Sequence, residues 1–331
     1  MTSVRRKETP AGLARVAIAA TIWGSIPVLV RAVDTSSVVI VFWRVAFAGA
    51  TLLLYLTFKK RLGEIVRLPT RRKLALMGMG ALLTVNWLLF FTALQLTGVA
   101  VAVLLGYLGP VFVAAFTPLV AREPFDRRVV LPLALALGGT LVIVAPGEAS
   151  SLGSPASMLG ATLAFTSAIT YAILVLNARR LVQGISASVY MVVEYSTAAV
   201  LLLPAAVLLP GPQAASEWGS LAALGVVNTA LTGFLFLSAL RNVRADHAAI
   251  ITYAEPVSAV LFAAVFLGEP LTLATLLGGA AVIAGGIAVT RLRPMVAVEG
   301  PPVIPELAEE GLDGSMGNTG IDSEDTPAGF S

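Results

Sequence analysis

The residues best suited to chemistry in this sequence are ionisable side chains within long apolar stretches. Glu255 precedes Pro256 in one stretch, Arg44 lies in a second and Glu194 in a third. A polar group in hydrocarbon is costly unless it is paired, so such residues are functional candidates by default. A carboxylate there can exchange a proton or bind an amine, and a guanidinium can bind a carboxylate through its planar fork.

Each of the three charges has a structural and a functional interpretation. Glu255 lies about nine residues into a helix that begins near Asp246, roughly mid-membrane, where it either couples protons or binds substrate, or bonds backbone freed by Pro256. Arg44 and Glu194 occupy corresponding places under a shift of 150 residues. Either they form a structural ion pair, or Arg44 snorkels toward the membrane surface, or Arg44 binds a substrate carboxylate.

The stretch around Glu255 is a repeat of an earlier one. Residues 93–125 align without a gap on 239–271 at a shift of 146, and nine of 33 positions are identical. The alignment places Tyr107 on Tyr253 and Pro110 on Pro256. Such self-similarity indicates an internal duplication.

The composition of the chain predicts that its apolar stretches lie in a membrane. Hydrophobic residues make up 57% of the chain and charged residues 12%, with a mean hydropathy of +0.88. Apolar runs of about 20 residues predict an all-α polytopic membrane protein with ten transmembrane helices. The runs lie at 12–32, 37–58, 74–94, 98–119, 129–146, 157–178, 187–209, 217–240, 246–267 and 272–291.

The same pattern divides the chain. A cytoplasmic leader (1–11) precedes the first repeat of five helices (12–146), and a linker (147–156) joins it to the second repeat (157–291). Residues 292–331 form an acidic tail with a composition typical of disorder.

Lysine and arginine predict the orientation. Twenty of the 22 fall in every second connection, seven of them between Lys59 and Lys73. This places those connections and both termini in the cytoplasm. Because five helices per repeat is an odd number, the two repeats must be inverted relative to each other.

Prolines and glycines predict where the helices bend. The expected hinge residues are Gly109, Pro110, Pro256 and Pro27, so that the bends of the fourth and ninth helices face each other. Polar and aromatic side chains near these bends are expected to line a cavity with Glu255, Arg44 and Glu194. They are Tyr253, Tyr107, Asn86, Trp87, Trp23 and Tyr171.

The sequence lacks the residues that enzymes, metalloproteins and ATP-driven transporters require. The sequence has no cysteine and one histidine, His247, so neither a metal site nor a catalytic triad is expected. No phosphate-binding loop of the Walker type is present. We therefore expect no enzyme activity and no cofactor, and the basic body of the chain reports topology rather than nucleic-acid binding.

Several motifs resemble a known family. IWGSIPVL at 22–29, FWR at 42–44, YLGP at 107–110 with REP at 122–124, and YAEP at 253–256 with LGEP at 267–270 are similar to EamA-type members of the drug/metabolite transporter superfamily. The resemblance covers residues 12–291. It implies a ten-helix fold and alternating access to a central cavity, with substrates that include amino acids, other metabolites and drugs, most often moved outward.

The combined expectation is a non-ATP carrier in the bacterial inner membrane that exports small metabolites, amino acids first. The alternatives are a nucleotide-sugar or lipid carrier of the same superfamily, and a membrane scaffold or receptor without transport. Its partners would be a small-molecule substrate and the lipid bilayer, with or without proton coupling, in a monomer or homodimer.

Overall fold

The computed structural model describes residues 9–97, 99–121, 124–144, 154–268 and 271–292, and these contain helices and no strand. The α-helices are α1 (Pro10–Trp23), α2 (Ile26–Arg31), α3 (Ser37–Phe58), α4 (Gly63–Arg67), α5 (Thr70–Leu96), α6 (Val99–Gly106), α7 (Gly109–Phe116), α8 (Val130–Val144), α9 (Pro155–Leu181), α10 (Ala187–Leu208), α11 (Ala215–Gly225), α12 (Thr232–Ala239), α13 (Ala245–Ile251), α14 (Ala254–Leu267) and α15 (Leu273–Thr290). The prediction of an all-helical protein is confirmed for this part of the chain.

Seven helical segments of 22 to 27 residues are long and apolar enough to cross a membrane. They are Pro10–Arg31, Ser37–Phe58, Thr70–Leu96, Pro155–Leu181, Ala187–Leu208, Ala215–Ala239 and Ala245–Leu267. The predicted spans at 98–119, 129–146 and 272–291 contain shorter helices. The count of ten spans therefore stays a prediction, and most of the predicted leader, linker and tail lies outside the described residues.

Several helices begin where the sequence supplies a cap. The hydroxyls of Thr9 and Ser154 accept hydrogen bonds at 3.1 Å from the amides three residues later. A proline follows each of them, at the first position of α1 and of α9. Proline suits this position because its missing amide hydrogen would have no partner inside the helix.

Three of the long apolar segments are interrupted, each just before a proline. One interruption lies between α1 and α2, just before Pro27. Another lies between α6 and α7, before Pro110, and a third lies between α13 and α14, before Pro256. Proline in a helix interior removes one hydrogen bond and clashes with the preceding turn. The helix consequently stops and restarts, with the proline in the first turn of the new segment.

The two halves of the chain pack reciprocally. Helix α3 lies along α10, and α8 lies along α15, and each pair consists of equivalent helices from the two repeats. Gly139 and Gly278 bring α8 and α15 together, since a Cβ on either glycine would meet the carbonyl oxygen of the other. The duplication also relates two contacts between helices that are not equivalent to each other. Helix α5 packs on α9, and their counterparts in the other repeat, α12 and α1, pack on each other.

Connections predicted to share a membrane face contact each other. On the charge-rich side Arg72 donates to the carbonyl of Gly184 at 3.1 Å. On the charge-poor side the hydroxyl of Thr35 donates to the carbonyl of Pro210 at 2.6 Å. The two groups of connections thus separate as the alternation of charge requires, while which face is cytoplasmic stays a prediction.

Candidate functional site

The breaks in the fourth and ninth apolar segments meet near the middle of the helical bundle. The hydroxyl of Tyr253 donates a hydrogen bond to the main-chain carbonyl of Tyr107, and the two rings lie 6.0 Å apart between centroids. Gly109 begins α7, directly after the first of these breaks. A Cβ on this residue would collide with the ring of Tyr171 in α9. Close contact among α6, α7, α9 and α13 therefore depends on this glycine and these tyrosines.

Glu255 lies in the first turn of α14, the helix that follows the second of these breaks. Its main-chain amide donates to the carbonyl of Thr252 at 3.0 Å, and its own carbonyl accepts from Ser258 at 2.9 Å. Its carboxylate makes no hydrogen bond or ion pair with any residue that the structure describes, and the residue is partly exposed. The side chain interacts electrostatically with Arg44, Tyr107 and Tyr171.

Arg44, in α3, is held on two sides. Its Nε donates to the hydroxyl of Thr229 at 2.6 Å, and its guanidinium carbon lies 4.8 Å from the centre of the Trp87 ring. The two terminal nitrogens make no hydrogen bond to any described residue, and the side chain is partly exposed. A guanidinium fixed at Nε and stacked on an aromatic face presents its fork in one orientation.

A π-helical turn, Val226–Leu231, positions this arginine and is a feature that the sequence analysis missed. The hydroxyl of Thr229 accepts from Arg44 and donates at 2.7 Å to the carbonyl of Leu224, five residues back. Single π turns within α-helices are frequent at functional sites. Thr229 is buried, so the hydroxyl has no solvent to replace these partners.

The same π turn ties the break in the first apolar segment to the site. The indole Nε1 of Trp23 donates to the carbonyl of Asn228 at 3.0 Å and to the hydroxyl of Thr232 at 2.7 Å. In return, the amide of Asn228 donates to the carbonyl of Ile22 at 2.9 Å and to Ser25 at 2.8 Å. The sequence could have pointed to Asn228, because it is a single side-chain amide in the apolar run at 217–240.

Glu194 does not join Arg44. It is buried in α10, where the hydroxyl of Tyr190 donates to it at 3.2 Å within the same helix. Within the described residues it forms no ion pair, and Arg44 donates instead to the hydroxyl of Thr229. Tyr195, the neighbour of Glu194 in α10, interacts electrostatically with both Glu194 and Arg44.

Two other predicted cavity residues lie in contacts between helices. Asn86 is buried and donates to the carbonyl of Ser167 at 2.7 Å and to the hydroxyl of Thr170 at 2.8 Å, which joins α5 to α9. Tyr253 is fully buried against Tyr107. Tyr107, Tyr171, Trp23 and Trp87 are partly exposed, and their place in a cavity lining stays a prediction.

The histidine lies apart from these groups. His247 is buried near the start of α13, next to Asp246, which forms an ion pair with Arg244 at 2.7 Å. No cluster of three or more potential metal ligands occurs among the residues that the structure describes.

The chain matches a known family twice. The EamA-like transporter family matches residues 10–145 and again residues 158–291, which agrees with the duplication read from the sequence. A solved crystal structure superposes with a TM-score of 0.74 at 20% identity and covers 84% of this chain and 97% of its own. At that identity the likeness shows a shared fold.

Relatives in three organisms are named as transporters. An uncharacterized transporter of Archaeoglobus fulgidus is 27% identical over 83% of this chain and 94% of its own length. The pseudopaline exporter CntI of Pseudomonas aeruginosa is 30% identical over 77% of this chain and 86% of its own length. An uncharacterized inner membrane transporter of Salmonella typhimurium, YicL, is 28% identical over 82% and 92%.

Proposed function

We propose that this chain, which belongs to the EamA-like transporter family, is a secondary carrier that exports small zwitterionic metabolites, amino acids foremost. Family membership makes it a multi-pass membrane transporter and not an enzyme. The zwitterionic substrate, the outward direction and the mechanism are the parts that we propose.

The observation that carries the proposal is the pair Arg44 and Glu255. The two charges interact electrostatically, yet no ion pair joins them, and both side chains are partly exposed. Neither the guanidinium fork nor the carboxylate has a hydrogen-bond partner among the described residues beyond the contact of Nε with Thr229. An α-amino acid carries a carboxylate and an ammonium group on one carbon, so it can satisfy both charges at once.

The aromatic surroundings suit the rest of such a substrate. Trp87 is stacked on Arg44, and Tyr107 and Tyr171 interact with Glu255. Ligand sites commonly combine apolar or aromatic walls with a few polar groups that fix orientation. The relative named as a pseudopaline exporter supports the outward direction.

For the mechanism we propose alternating access between inverted repeats with both termini in the cytoplasm. Gly109, Pro110, Pro256 and Pro27 would act as hinges, since each lies at one of the three breaks. Broken helices that meet at a central site are a recurring arrangement in secondary transporters. Coupling to protons would use Glu255, with the buried Glu194 as a second carboxylate.

The test is flux of a panel of labelled amino acids in proteoliposomes, with and without a pH gradient. We compare the wild type with Arg44→Lys and Glu255→Gln, and use Asp34→Asn as control because Asp34 lies in an exposed connection away from the site. Arg44→Lys keeps the charge and removes the fork, so we expect the half-saturation concentration to rise about tenfold or more. We expect Glu255→Gln to abolish any response to the gradient.

The alternatives give different results. Flux that ignores the gradient in the wild type would mean facilitated diffusion and leave Glu255 as a substrate ligand. Absence of flux for every amino acid would contradict the zwitterion assignment, and flux of a nucleotide sugar or lipid-linked sugar would then favour the other carriers of the superfamily. Absence of flux for all of these compounds would mean that the carrier takes a substrate of another chemical class.

A further inference from the structure

The connection between α3 and α5 contains several positively charged side chains without a partner in the described structure. We name residues 59–73 the basic connection; it carries seven of the 22 lysines and arginines. Three of the seven have structural partners: Arg61 pairs with Glu64, Arg72 donates to the carbonyl of Gly184, and Lys73 donates to the carbonyl of Val66. These bonds fix the shape of the connection.

The side chains of the other four cations are exposed and make no hydrogen bond or ion pair with the part of the chain that the structure describes. They are Lys59, Lys60, Arg67 and Arg71. Four like charges in a short segment repel one another unless anions lie nearby. Their positions therefore favour an anionic ligand.

Lys60 is held in a conformation that suits glycine better. Its φ is +55°, and among the described residues it is the one non-glycine residue with a positive φ. It closes the end of α3, where the amide of Lys60 donates to Thr57 and that of Arg61 donates to Leu56. Glycine is the usual residue at this position of a helix end, so keeping lysine there costs stability and suggests a use for its charge.

Apolar side chains accompany the free cations. Phe58 and Val66 are 83% and 74% exposed, and Leu62 and Leu74 are exposed as well. On its other side the connection packs on the protein core through Ile65 and Leu68. Exposed cations interleaved with exposed apolar side chains are typical of segments at a membrane interface.

A surface pocket completes the arrangement. Its volume is about 310 Å³, and it lies between the basic connection and the start of α10, with Arg67, Arg72 and Ser186 in its lining. Glu64 also lines it, and its charge is offset by the ion pair with Arg61. A water molecule takes up about 30 Å³ of liquid, so the pocket has room for a phosphate with its glycerol. Arg67, which is free of other partners, reaches the pocket from the side of the basic connection.

We propose that the basic connection binds the headgroup of an anionic phospholipid, with the phosphate in the pocket at Arg67, the other free cations adding to the attraction, and the acyl chains beside Phe58 and Val66. The charges alone would suit any phosphate, whereas the exposed apolar side chains favour a ligand that brings hydrocarbon. Basic segments next to a membrane span attract anionic lipids. This inference does not rest on the transported substrate, so it stands or fails independently of the proposed function.

The test measures lipid binding by the purified full-length chain in detergent, using native mass spectrometry with phosphatidylglycerol or phosphatidylcholine. We expect the wild type to prefer phosphatidylglycerol by about tenfold or more. Glutamine at Lys59, Lys60, Arg67 and Arg71 should remove most of this preference. The matched control places glutamine at Arg15, Arg127, Arg180 and Arg291, which are also exposed, and it should keep the preference.

One further variant separates binding from folding. Lys60→Gly removes one charge and relieves the positive φ, so the protein should become more stable while its affinity for phosphatidylglycerol falls about fivefold. Equal loss of binding in both four-site variants, or unchanged binding in Lys60→Gly, would overturn the proposal. Displacement of the lipid by inorganic phosphate alone would overturn the lipid as ligand.

Discussion

The side-chain hydroxyl of Tyr253 donates a hydrogen bond to the main-chain carbonyl oxygen of Tyr107, and these residues are equivalent under the 146-residue offset of the duplication. Equivalent residues can touch only where the axis relating the two repeats passes between them. The contact therefore marks the centre of the molecule, at the breaks in the fourth and ninth apolar segments.

Tyr253→Phe should lower the apparent unfolding temperature in detergent by about 2–4 °C, because a buried hydrogen bond contributes about 1 kcal/mol. The matched control is Tyr107→Phe, which removes the equivalent hydroxyl. That hydroxyl makes no hydrogen bond to any described residue. An equal effect of the two variants would contradict the role assigned to the Tyr253 hydroxyl.

Thr229→Val should raise the half-saturation concentration for flux about tenfold, because Arg44 loses the acceptor that orients its fork. Thr229→Ser keeps a hydroxyl and should stay within about threefold of the wild type. The measurement is flux against substrate concentration for both variants. A purely structural role of Thr229 would reduce the amount of folded carrier and leave the half-saturation concentration unchanged.

The elements of the fold were easier to predict than their contacts. Pro110 and Pro256 lie at breaks in their segments, whereas Pro204 lies inside the unbroken helix α10. Proline makes a break favourable, and packing decides whether the helix actually stops there. Thr229 was missed because a π turn depends on how α3 and α12 pack around it, which no local pattern encodes. Arg44 and Glu194 share a repeat position without sharing a contact, since similar depth in a membrane does not specify which way a side chain points.

Asp126→Asn should remove part of the pH dependence of stability. The side-chain hydrogen bonds from Arg128 lower the pKa of Asp126, assisted by the backbone amide of Arg128 and opposed by burial. Because the folded pKa lies below the unfolded value of about 4, this carboxylate stabilises the protein above pH 4, and the effect is lost as the pH falls through the folded value.

The measurement for Asp126 is the apparent unfolding temperature in detergent from neutral to acidic pH. We expect the wild type to lose stability more steeply than Asp126→Asn below about pH 4. Asp34→Asn, in an exposed connection, should retain the steep profile of the wild type. Parallel profiles for the wild type and Asp126→Asn would show that this carboxylate makes no contribution.

Gly80→Ala and Gly78→Ala should change stability in opposite directions, although the two glycines lie two residues apart in α5. A Cβ on Gly80 would collide with the main-chain carbonyl of Glu194 and the side chain of Thr197, whereas a Cβ on Gly78 would meet nothing within 4 Å. Gly80→Ala must therefore push α5 away from α10 and cost about 1–3 kcal/mol. Gly78→Ala should stabilise by about 0.5–1 kcal/mol, because alanine favours the helix. Unfolding temperatures of the two variants in the same detergent test this, and two shifts of the same sign would mean that α5 and α10 do not approach as closely as the structure places them.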